Sequence, residues 1–234
     1  MLPVAMISGG LSMRLRPLTE NVPKAMVDIN GVPFIAHQLH LLRANGIERV
    51  VICAGYFGEM ISEFVGDGSS FGIQAKFSFD GDSLLGVAGA IKKALHLLGE
   101  SFFVLYGDSY LLCDFRAVQE AFEESRKEAL MTVLQNEGRW DTSNVEYQDG
   151  RILDYDKKNR ADRMRHIDYG LGVCHASAFK TVPQNEPFDL AQVYRQLLKK
   201  GELAAFEVWE RFYEIGSFQG LEETRDFLKK INFC

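Results

Sequence analysis

The sequence lacks the features that define several protein classes. Its four cysteines, at positions 53, 113, 174 and 234, form no CxxC pair for a metal or for redox chemistry. No apolar run approaches the roughly 18 residues of a membrane-spanning helix, and the apolar N-terminus is too short for a signal peptide. The net charge of -6 does not favour a nucleic-acid partner. We therefore expect a reduced, cytoplasmic protein that binds neither a membrane nor a nucleic acid.

The composition is that of an ordinary globular domain. The 234 residues are 47% hydrophobic and 25% charged, so one large domain can bury a core without disulfides or metals to staple it. A negative net charge does not prevent binding of a small anion, because a local pocket of arginine and lysine overrides it. We expect a single domain over residues 1–234.

Strands and helices alternate in the first half. Apolar and β-branched runs predict strands at residues 4–7, 49–54, 75–79 and 102–106, and apolar residues at helical spacing predict helices around residues 35–42, 60–65 and 90–98. This alternation predicts an α/β fold with a doubly wound, mostly parallel sheet. Ligands of such sheets lie beyond the carboxyl ends of the strands, where the unusual loops 8–24 and 107–114 are expected.

The second half predicts a β-richer lobe. Strands are expected at residues 129–134, 143–147, 151–155, 167–174, 204–208 and 212–215, and helices at 115–126, 190–200 and 221–230. Asp149-Gly150 predicts a tight hairpin, and the glycines of the 167–174 strand predict a bulge or a close approach of a ligand. Trp209 is assigned to packing, and Trp140 to a loop that covers a ligand.

The loop after the first strand has the chemistry of a phosphate site. Gly9 and Gly10 let backbone N–H groups approach a phosphate without a Cβ clash. Arg14 adds a planar fork of donors, and Lys24 adds a point charge behind Pro23. The run fits neither the Walker pattern nor GxGxxG. An ordinary glycine turn with solvated basic side chains is the alternative interpretation.

The same loop carries a family resemblance. GGLSMRLRPLTENVPKAMVDINGVPFI resembles the sugar-phosphate nucleotidylyltransferase signature GGxGTRLxPLTxxxPKxLxPVxxxPxI, and the resemblance continues at residues 86–90, 105–108 and 214–217. The short chain is similar to the single-domain heptose-1-phosphate guanylyltransferases and N-acetylmuramate-1-phosphate uridylyltransferases. The resemblance implies a Rossmann-like nucleotidyltransferase fold with a nucleotide-binding half at residues 1–114 and a sugar-phosphate-binding half at residues 115–234.

The resemblance also implies roles for individual residues. The catalytic residues would be Arg14, which holds the β- and γ-phosphates, and Lys24, which contacts the α-phosphate. Nucleotide contacts would come from Gly9, Gly10, Ser12, Gly86, Ala88, Gly89 and Asp108. Asp108 and Glu214 would hold Mg²⁺. The sugar phosphate would be bound by Asn144, Asp156, Lys157, Asp168 and Gly170.

Four positions depart from the family pattern. Ser12 replaces a glycine, Met13 replaces a threonine or serine, Val87 replaces a threonine, and Glu214 replaces an aspartate. Glutamate is still an oxygen ligand suited to Mg²⁺, but it is one methylene longer. The changes at Ser12 and Met13 bear on the phosphate affinity of the loop more than on the fold.

The function that follows is transfer of a nucleotidyl group. A nucleoside triphosphate and a sugar 1-phosphate would give a nucleotide sugar and pyrophosphate by one Mg²⁺-dependent displacement at the α-phosphate. Two alternatives remain open: a cytidylyltransferase acting on a non-sugar phosphate such as phosphocholine, and a binding module without turnover. The sequence does not identify the base, although similarity to the heptose enzymes favours GTP. It also leaves the oligomeric state open between a monomer and a homodimer.

Overall fold

The computed structural model describes residues 1–10 and 12–231. The strands are β1 (Val4–Ser8), β2 (Asp28–Ile29), β3 (Val32–Pro33), β4 (Arg49–Ala54), β5 (Gln74–Phe79), β6 (Ser101–Tyr106), β7 (Ser109–Tyr110), β8 (Ala129–Gln135), β9 (Val145–Gln148), β10 (Arg151–Tyr155), β11 (His166–His175), β12 (Leu203–Val208) and β13 (Tyr213–Glu214). The helices are α1 (Phe34–Ala44), α2 (Gly58–Val65), α3 (Gly86–Leu98), α4 (Phe115–Ser125), α5 (Leu190–Lys199) and α6 (Phe218–Ile231).

One mixed sheet forms the centre of the fold. Its main path runs β10-β9-β11-β6-β1-β4-β5, and β8 pairs with both β11 and β12. The first-half strands β1, β4, β5 and β6 are mutually parallel, as their helical connections require. β11 runs antiparallel to β6 and β8, so the second half extends the parallel part with antiparallel pairs. The predicted α/β fold is confirmed, with a sheet that is mixed.

Helices cover both faces of this sheet. On one face, Ile61 of α2 and Val118 of α4 belong to the same core cluster as Val4. On the other, Ile91 of α3 packs in a cluster with Ala5. The side chains of successive β1 residues thus pack into the cores on opposite faces of the sheet, as the two-residue period of a strand requires. The sheet is doubly wound, as the sequence predicts.

The β-rich half contains both predicted irregularities. Asp149 and Gly150 have φ angles of 49° and 79°, which suits a two-residue hairpin between the antiparallel strands β9 and β10. Gly170 has φ of 99° where the register of β11 against β8 shifts, so the predicted bulge is confirmed. In the part of the chain that the structure describes, no helix is long and apolar enough to span a membrane.

The two tryptophans differ from expectation. Trp209 was expected to pack, but it lies just after β12 with 77% of its surface exposed, so this prediction is wrong. An isolated aromatic after an apolar strand does not by itself show that the chain has already left the core. Trp140 packs edge-on against Phe212, beneath the guanidinium of Arg211, and lines neither of the cavities described below.

Candidate active site

Two adjoining cavities open at the carboxyl edge of the parallel strands. The first has a volume of about 300 Å³ and lies beside Gly10, Ser12, Lys24 and Val87. The second has a volume of about 210 Å³, and its lining includes Arg14, Asn144, Arg160, Gly170 and Glu214. Tyr106, Asp108 and Lys157 line both cavities. The two spaces therefore meet at these three side chains.

The loop after β1 is held by its own hydrogen bonds. Ser12 has φ of 49°, a left-handed conformation that explains the glycine usual in the family and costs serine about 1–2 kcal/mol. The hydroxyl of Ser12 donates to the carbonyl of Gly10 at 3.3 Å, and its own carbonyl accepts from Thr19 at 2.9 Å. Leu15 is fully buried and anchors the short helix Met13–Leu15, which leaves Arg14 exposed at the second cavity.

Lys24 and Asp108 form an ion pair where the cavities meet. The ammonium of Lys24 lies 3.0 Å from Oδ2 of Asp108, and the hydroxyl of Ser109 donates to Oδ1 at 3.2 Å. Burial opposes ionisation of Asp108, but the charge and hydrogen bonds of Lys24 and Ser109 outweigh it and lower the pKa of the carboxyl. Asp108 is therefore a carboxylate at neutral pH.

Glu214 is brought to Asp108 by a two-stranded ribbon. β13 pairs with β7 so that Glu214 lies opposite Ser109, and the N–H of Ile215 donates to the carbonyl of Asp108. The Glu214 carboxylate accepts hydrogen bonds from the N–H of Gly216 and from the hydroxyl of Ser217, at the N-terminus of α6. It is thus both beside Asp108 and bound to its own loop.

The pair of carboxylates suits a single hard cation. Asp108 uses one hydrogen-bond donor on each carboxylate oxygen and retains lone pairs on both. Within residues 1–10 and 12–231, no three histidine, cysteine or acidic side chains converge as a metal site. Mg²⁺ commonly binds through one or two carboxylates, with phosphates and waters completing its octahedron. Asp108 and Glu214 fit that pattern.

Lys157 stands at the centre of a second polar cluster. Its ammonium lies 3.0 Å from the hydroxyl of Tyr106 and 3.2 Å from Oδ2 of Asp168. The hydroxyls of Tyr106 and Tyr155 each donate to the same Oδ2 at 3.1 Å. Burial favours the neutral amine of Lys157, but the Tyr106 hydroxyl and the Asp168 carboxylate outweigh it and raise the pKa of Lys157. Lys157 is therefore a cation facing both cavities.

The remaining predicted sugar-phosphate residues separate into two groups. Asn144 and Gly170 line the second cavity, and Oδ1 of Asn144 accepts from the N–H of Asp168 at 3.0 Å. Asp156 lines neither cavity. Its carboxylate accepts from the N–H groups of Lys158 and Asn159 and pairs with Arg195 at 2.8 Å, so it fixes the turn that carries Lys157. Asp156 and Lys157 are neighbours in the sequence, but only Lys157 lines the cavities, and the sequence did not predict this difference.

The glycines at the start of α3 have a packing role. A Cβ at Gly89 would lie 2.6 Å from the carbonyl oxygen of Glu186, and one at Gly86 would lie 2.8 Å from that of Phe188. Ala88 is fully buried and donates its N–H to Phe188. Of this segment, Val87 is the residue that lines the first cavity. The structure thus explains Gly86 and Gly89 by close packing of α3 against the 186–188 segment.

Three further residues were not predicted as site residues. Tyr106 ends β6 and lines both cavities, and Arg160 lines the second. Asp80 follows β5 at the same sheet edge, 3.5 Å from the position of a Cβ on Gly9, and its Oδ2 accepts from the N–H of Leu85. Tyr106 and Asp80 lie at or just beyond the carboxyl end of a strand, where ligands of such sheets bind, so their positions could have predicted them as site residues. Arg160 lies in the turn after Asp156, and its nearness to Lys157 in the sequence was the available signal.

Comparison with known proteins places the chain in a family. It is 27% identical over 210 residues to a D-glycero-α-D-manno-heptose 1-phosphate guanylyltransferase of Campylobacter jejuni, covering 90% of this chain and 92% of that protein. It is 37% identical over 112 residues to an N-acetylmuramate α-1-phosphate uridylyltransferase of Neisseria meningitidis, covering 47% and 48%. A UTP–glucose-1-phosphate uridylyltransferase of Synechocystis is 25% identical, with coverage of 83% and 55%.

Solved structures share the fold. A provisionally assigned glucose-1-phosphate thymidylyltransferase from Bacillus anthracis, complexed with sucrose, superposes with a TM-score of 0.89 at 20% identity over 100% of this chain and 98% of that one. HddC from Yersinia pseudotuberculosis, complexed with GMP-PN, gives 0.81 at 23% identity over 97% and 100%. A family model described as nucleotidyl transferase matches residues 4–143, more than half of the chain. The chain therefore belongs to the nucleotidyl transferase family.

Proposed function

We propose that this nucleotidyltransferase joins a nucleoside triphosphate to a sugar 1-phosphate and releases pyrophosphate. The observation that carries the proposal is the meeting of two cavities at Tyr106, Asp108 and Lys157. Transfer between two phosphorylated substrates needs two binding spaces with a shared boundary, where the attacking oxygen reaches the α-phosphorus. The first cavity adjoins the glycine loop and would take the nucleotide. The second would take the sugar phosphate.

The charges at the boundary support phosphate chemistry. Two phosphates repel each other, so the protein must neutralise them and hold them in line. Lys24 lies on the nucleotide side, and Lys157 faces both. Arg14, which the resemblance assigned to the β- and γ-phosphates of the nucleotide, instead lines the second cavity with Arg160, on the acceptor side. A phosphate monoester is largely dianionic near neutral pH, so the attacking oxygen needs no strong general base. One displacement at the α-phosphorus, without a covalent intermediate, accounts for this arrangement.

Existing ion pairs explain why a divalent cation would be needed. Lys24 is paired with Asp108 and Lys157 with Asp168, so half of the four cations are already neutralised. Asp108 would hold Mg²⁺ directly, and Glu214 would hold it directly or through water. When bound, the cation would polarise the phosphate oxygens and supply positive charge for the triphosphate.

Asp80 supports a preference for GTP. The residue is 8% exposed, and its Oδ2 lies 3.5 Å from the position of a Cβ on Gly9, in the loop that borders the first cavity through Gly10 and Ser12. Guanine presents two donors on one edge, the ring N–H and the amino group, and an ionised carboxylate accepts from both. The heptose-1-phosphate guanylyltransferase relative is consistent with this choice.

A pyrophosphate-release assay tests the proposed function. GTP, UTP, CTP and dTTP are each combined with a panel of sugar 1-phosphates and with phosphocholine as the non-sugar acceptor, in the presence of Mg²⁺. We expect release only when one triphosphate and one sugar 1-phosphate are present together. Release with CTP and phosphocholine, but with none of the sugar 1-phosphates, would identify the enzyme as a non-sugar cytidylyltransferase. Nucleotide binding by calorimetry without release from any pair would identify a binding module.

A further inference from the structure

Asp168 is held by four neighbouring groups of the protein. Its Oδ2 accepts hydrogen bonds from Tyr106 and Tyr155 and forms an ion pair with Lys157, and its Oδ1 accepts from the N–H of Gly170 at 3.2 Å. The side chain is 4% exposed. A carboxylate offers about four lone-pair positions, two on each oxygen, so Oδ2 is fully engaged and Oδ1 keeps one position free. Asp168 lines the second cavity, but its Oδ2 serves Tyr106, Tyr155 and Lys157, and only Oδ1 is left for the sugar hydroxyl that the family resemblance implied.

Tyr106 completes the environment of Lys157. Its hydroxyl accepts from Lys157 and donates to Asp168, and its ring lies 4.8 Å from the ammonium. Burial and the Asp168 charge raise the pKa of Tyr106, so the hydroxyl keeps the proton that it donates. Lys157 has three N–H donors; it donates one to Tyr106, and its ammonium forms an ion pair with Asp168. The rest of its donor capacity is left for a ligand.

We propose that Tyr106 is a positioning residue, which acts with Asp168 to aim the ammonium of Lys157 at the phosphates that meet where the two cavities join. Tyr106 and Lys157 both line the two cavities, so the aimed donor lies where the attacking and attacked phosphates meet. This inference rests on the proposed function, because it assigns a phosphate as the ligand of Lys157. It gives Asp168 a structural duty toward Lys157, which its Oδ2 fulfils.

Tyr155 provides a matched control. Its hydroxyl also donates to Oδ2 of Asp168 at 3.1 Å, and its ring lies 5.9 Å from the Lys157 ammonium, but of the two hydroxyls the one that accepts from Lys157 is that of Tyr106. Tyr106→Phe and Tyr155→Phe thus each remove one donor to the same oxygen, and their difference reports the contact between Tyr106 and Lys157. A hydrogen bond to a charged group is strong enough that its loss is expected to lower kcat/KM for the acceptor phosphate about tenfold or more.

The kinetic test is a double-mutant cycle. The two phenylalanine variants are measured in the parent and in Lys157→Met, with the substrate pair identified by pyrophosphate release. We expect Tyr106→Phe to lower kcat/KM for the acceptor about tenfold, Tyr155→Phe to lower it about twofold, and the nucleotide KM to change less than twofold. In Lys157→Met, Tyr106→Phe should have almost no further effect, because the two residues act as a unit. A full effect in that background would overturn the inference.

A second measurement does not depend on turnover. Competitive acetylation with acetic anhydride, read by mass spectrometry, compares Lys157 with the neighbouring exposed Lys158 in the intact protein. We expect Lys157 to be several-fold more reactive in Tyr106→Phe than in Tyr155→Phe, with Lys158 unchanged. Equal reactivity in the two variants would overturn the positioning role. If no substrate pair reacts and Lys157 still responds to Tyr106, the proposed function fails while the aiming of Lys157 stands.

Discussion

The ammonium of Lys24 and the carboxylate of Asp108 lie 3.0 Å apart, although 84 positions separate them in the sequence. Each neutralises the other, so a substrate must compete for both. Lys24 can exchange the carboxylate for a phosphate, and Asp108 is then free to bind a cation that the phosphate shares. A nucleotide phosphate that binds Lys24 releases Asp108 for the cation, and a cation that binds Asp108 releases Lys24 for the phosphate. We therefore expect the nucleotide and Mg²⁺ to bind cooperatively.

The first prediction is that Asp108→Asn lowers kcat at least 100-fold and leaves the fold intact. The amide lacks the negative charge that holds the cation, whereas the bond from Ser109 can persist. Asp114→Asn is the matched control, because Asp114 ends the same loop and caps α4 through Arg116 and Ala117. Asparagine caps as well as aspartate, so this variant should retain parental kcat and Tm. An Asp108→Asn enzyme within threefold of the parent would remove Asp108 from the metal site.

The second prediction separates two roles of Glu214. We expect Glu214→Ala to lower kcat/KM about 100-fold and to raise the Mg²⁺ concentration needed for half-maximal rate. Glu214→Asp should keep measurable activity, because it keeps the charge. Ser217→Ala removes one hydrogen bond to the same carboxylate without removing its charge. If Ser217→Ala proved as damaging as Glu214→Ala, Glu214 would serve the loop and not the cation.

The third prediction distinguishes packing from nucleotide contact at the start of α3. A methyl group at Gly89 meets the backbone oxygen of Glu186 at 2.6 Å, so Gly89→Ala should destabilise the protein by about 1–3 kcal/mol in urea unfolding. Val87 lies in the same turn and lines the first cavity. The Val87→Ala variant should therefore raise the nucleotide KM, with a smaller loss of stability than Gly89→Ala. If Gly89→Ala instead raised the nucleotide KM without loss of stability, and Val87→Ala did not, Gly89 would be the residue that contacts the nucleotide.

The main elements of the fold could be predicted because their signals are local. β4 has the predicted bounds, Arg49–Ala54, since a β-branched run between polar turns is read directly from the sequence. α6 begins at Phe218, three residues before the predicted start at residue 221, because Ser217 interacts with Glu214 and Gly220 in the first turn. That contact depends on the tertiary position of β13, which periodicity does not encode.

The candidate site was predictable in its residue types but only partly in its geometry. The loops that carry Lys24 and Asp108 were expected at one sheet edge, but the ion pair between these two side chains was not predicted. The partners of Asp168 are Tyr106, 62 positions away, and Tyr155, 13 positions away, and no spacing rule joins them. Long-range hydrogen bonds of this kind decide whether a carboxylate binds a ligand or another side chain, so the structure was needed to assign Asp168.

The fourth prediction concerns pH and Asp156. The N–H groups of Asn159 and Lys158 lower the pKa of Asp156 to about 2, and Arg195 adds a smaller effect. Because the folded-state pKa lies below the ordinary value, the ionised form stabilises the fold above the ordinary pKa of about 3.9. This stabilisation is lost as pH falls from there through about 2.

Urea midpoints of the parent and Asp156→Asn test this from pH 7 down to pH 3. The difference between them should be constant down to about pH 5 and should shrink below it. Asparagine can still accept the two N–H bonds of the turn, so the acceptor KM at pH 7 should change less than twofold. A large rise in that KM would instead support the sugar contact implied by the family resemblance.

The fifth prediction concerns the base. Asp80 lies beside Gly9, and burial raises the pKa of its carboxyl, which the Leu85 N–H and Lys93 oppose. An ionised carboxylate accepts both donors of guanine, but it repels the carbonyl oxygens that flank the single ring N–H of uracil. Asp80→Asn replaces one acceptor oxygen with a donor. The change should therefore lower kcat/KM for GTP and improve it for UTP.

The decisive quantity is the ratio of kcat/KM for GTP to that for UTP, with one sugar 1-phosphate at saturation. A site that pairs buried polar groups with the base discriminates strongly, and we expect Asp80→Asn to reduce the ratio at least tenfold. Asp82→Asn is the matched control, since Asp82 is an exposed residue of the same turn. It should leave the ratio unchanged. If both variants kept the parental ratio, Asp80 would serve only to hold the N-terminus of α3 through Leu85, and other residues would read the base.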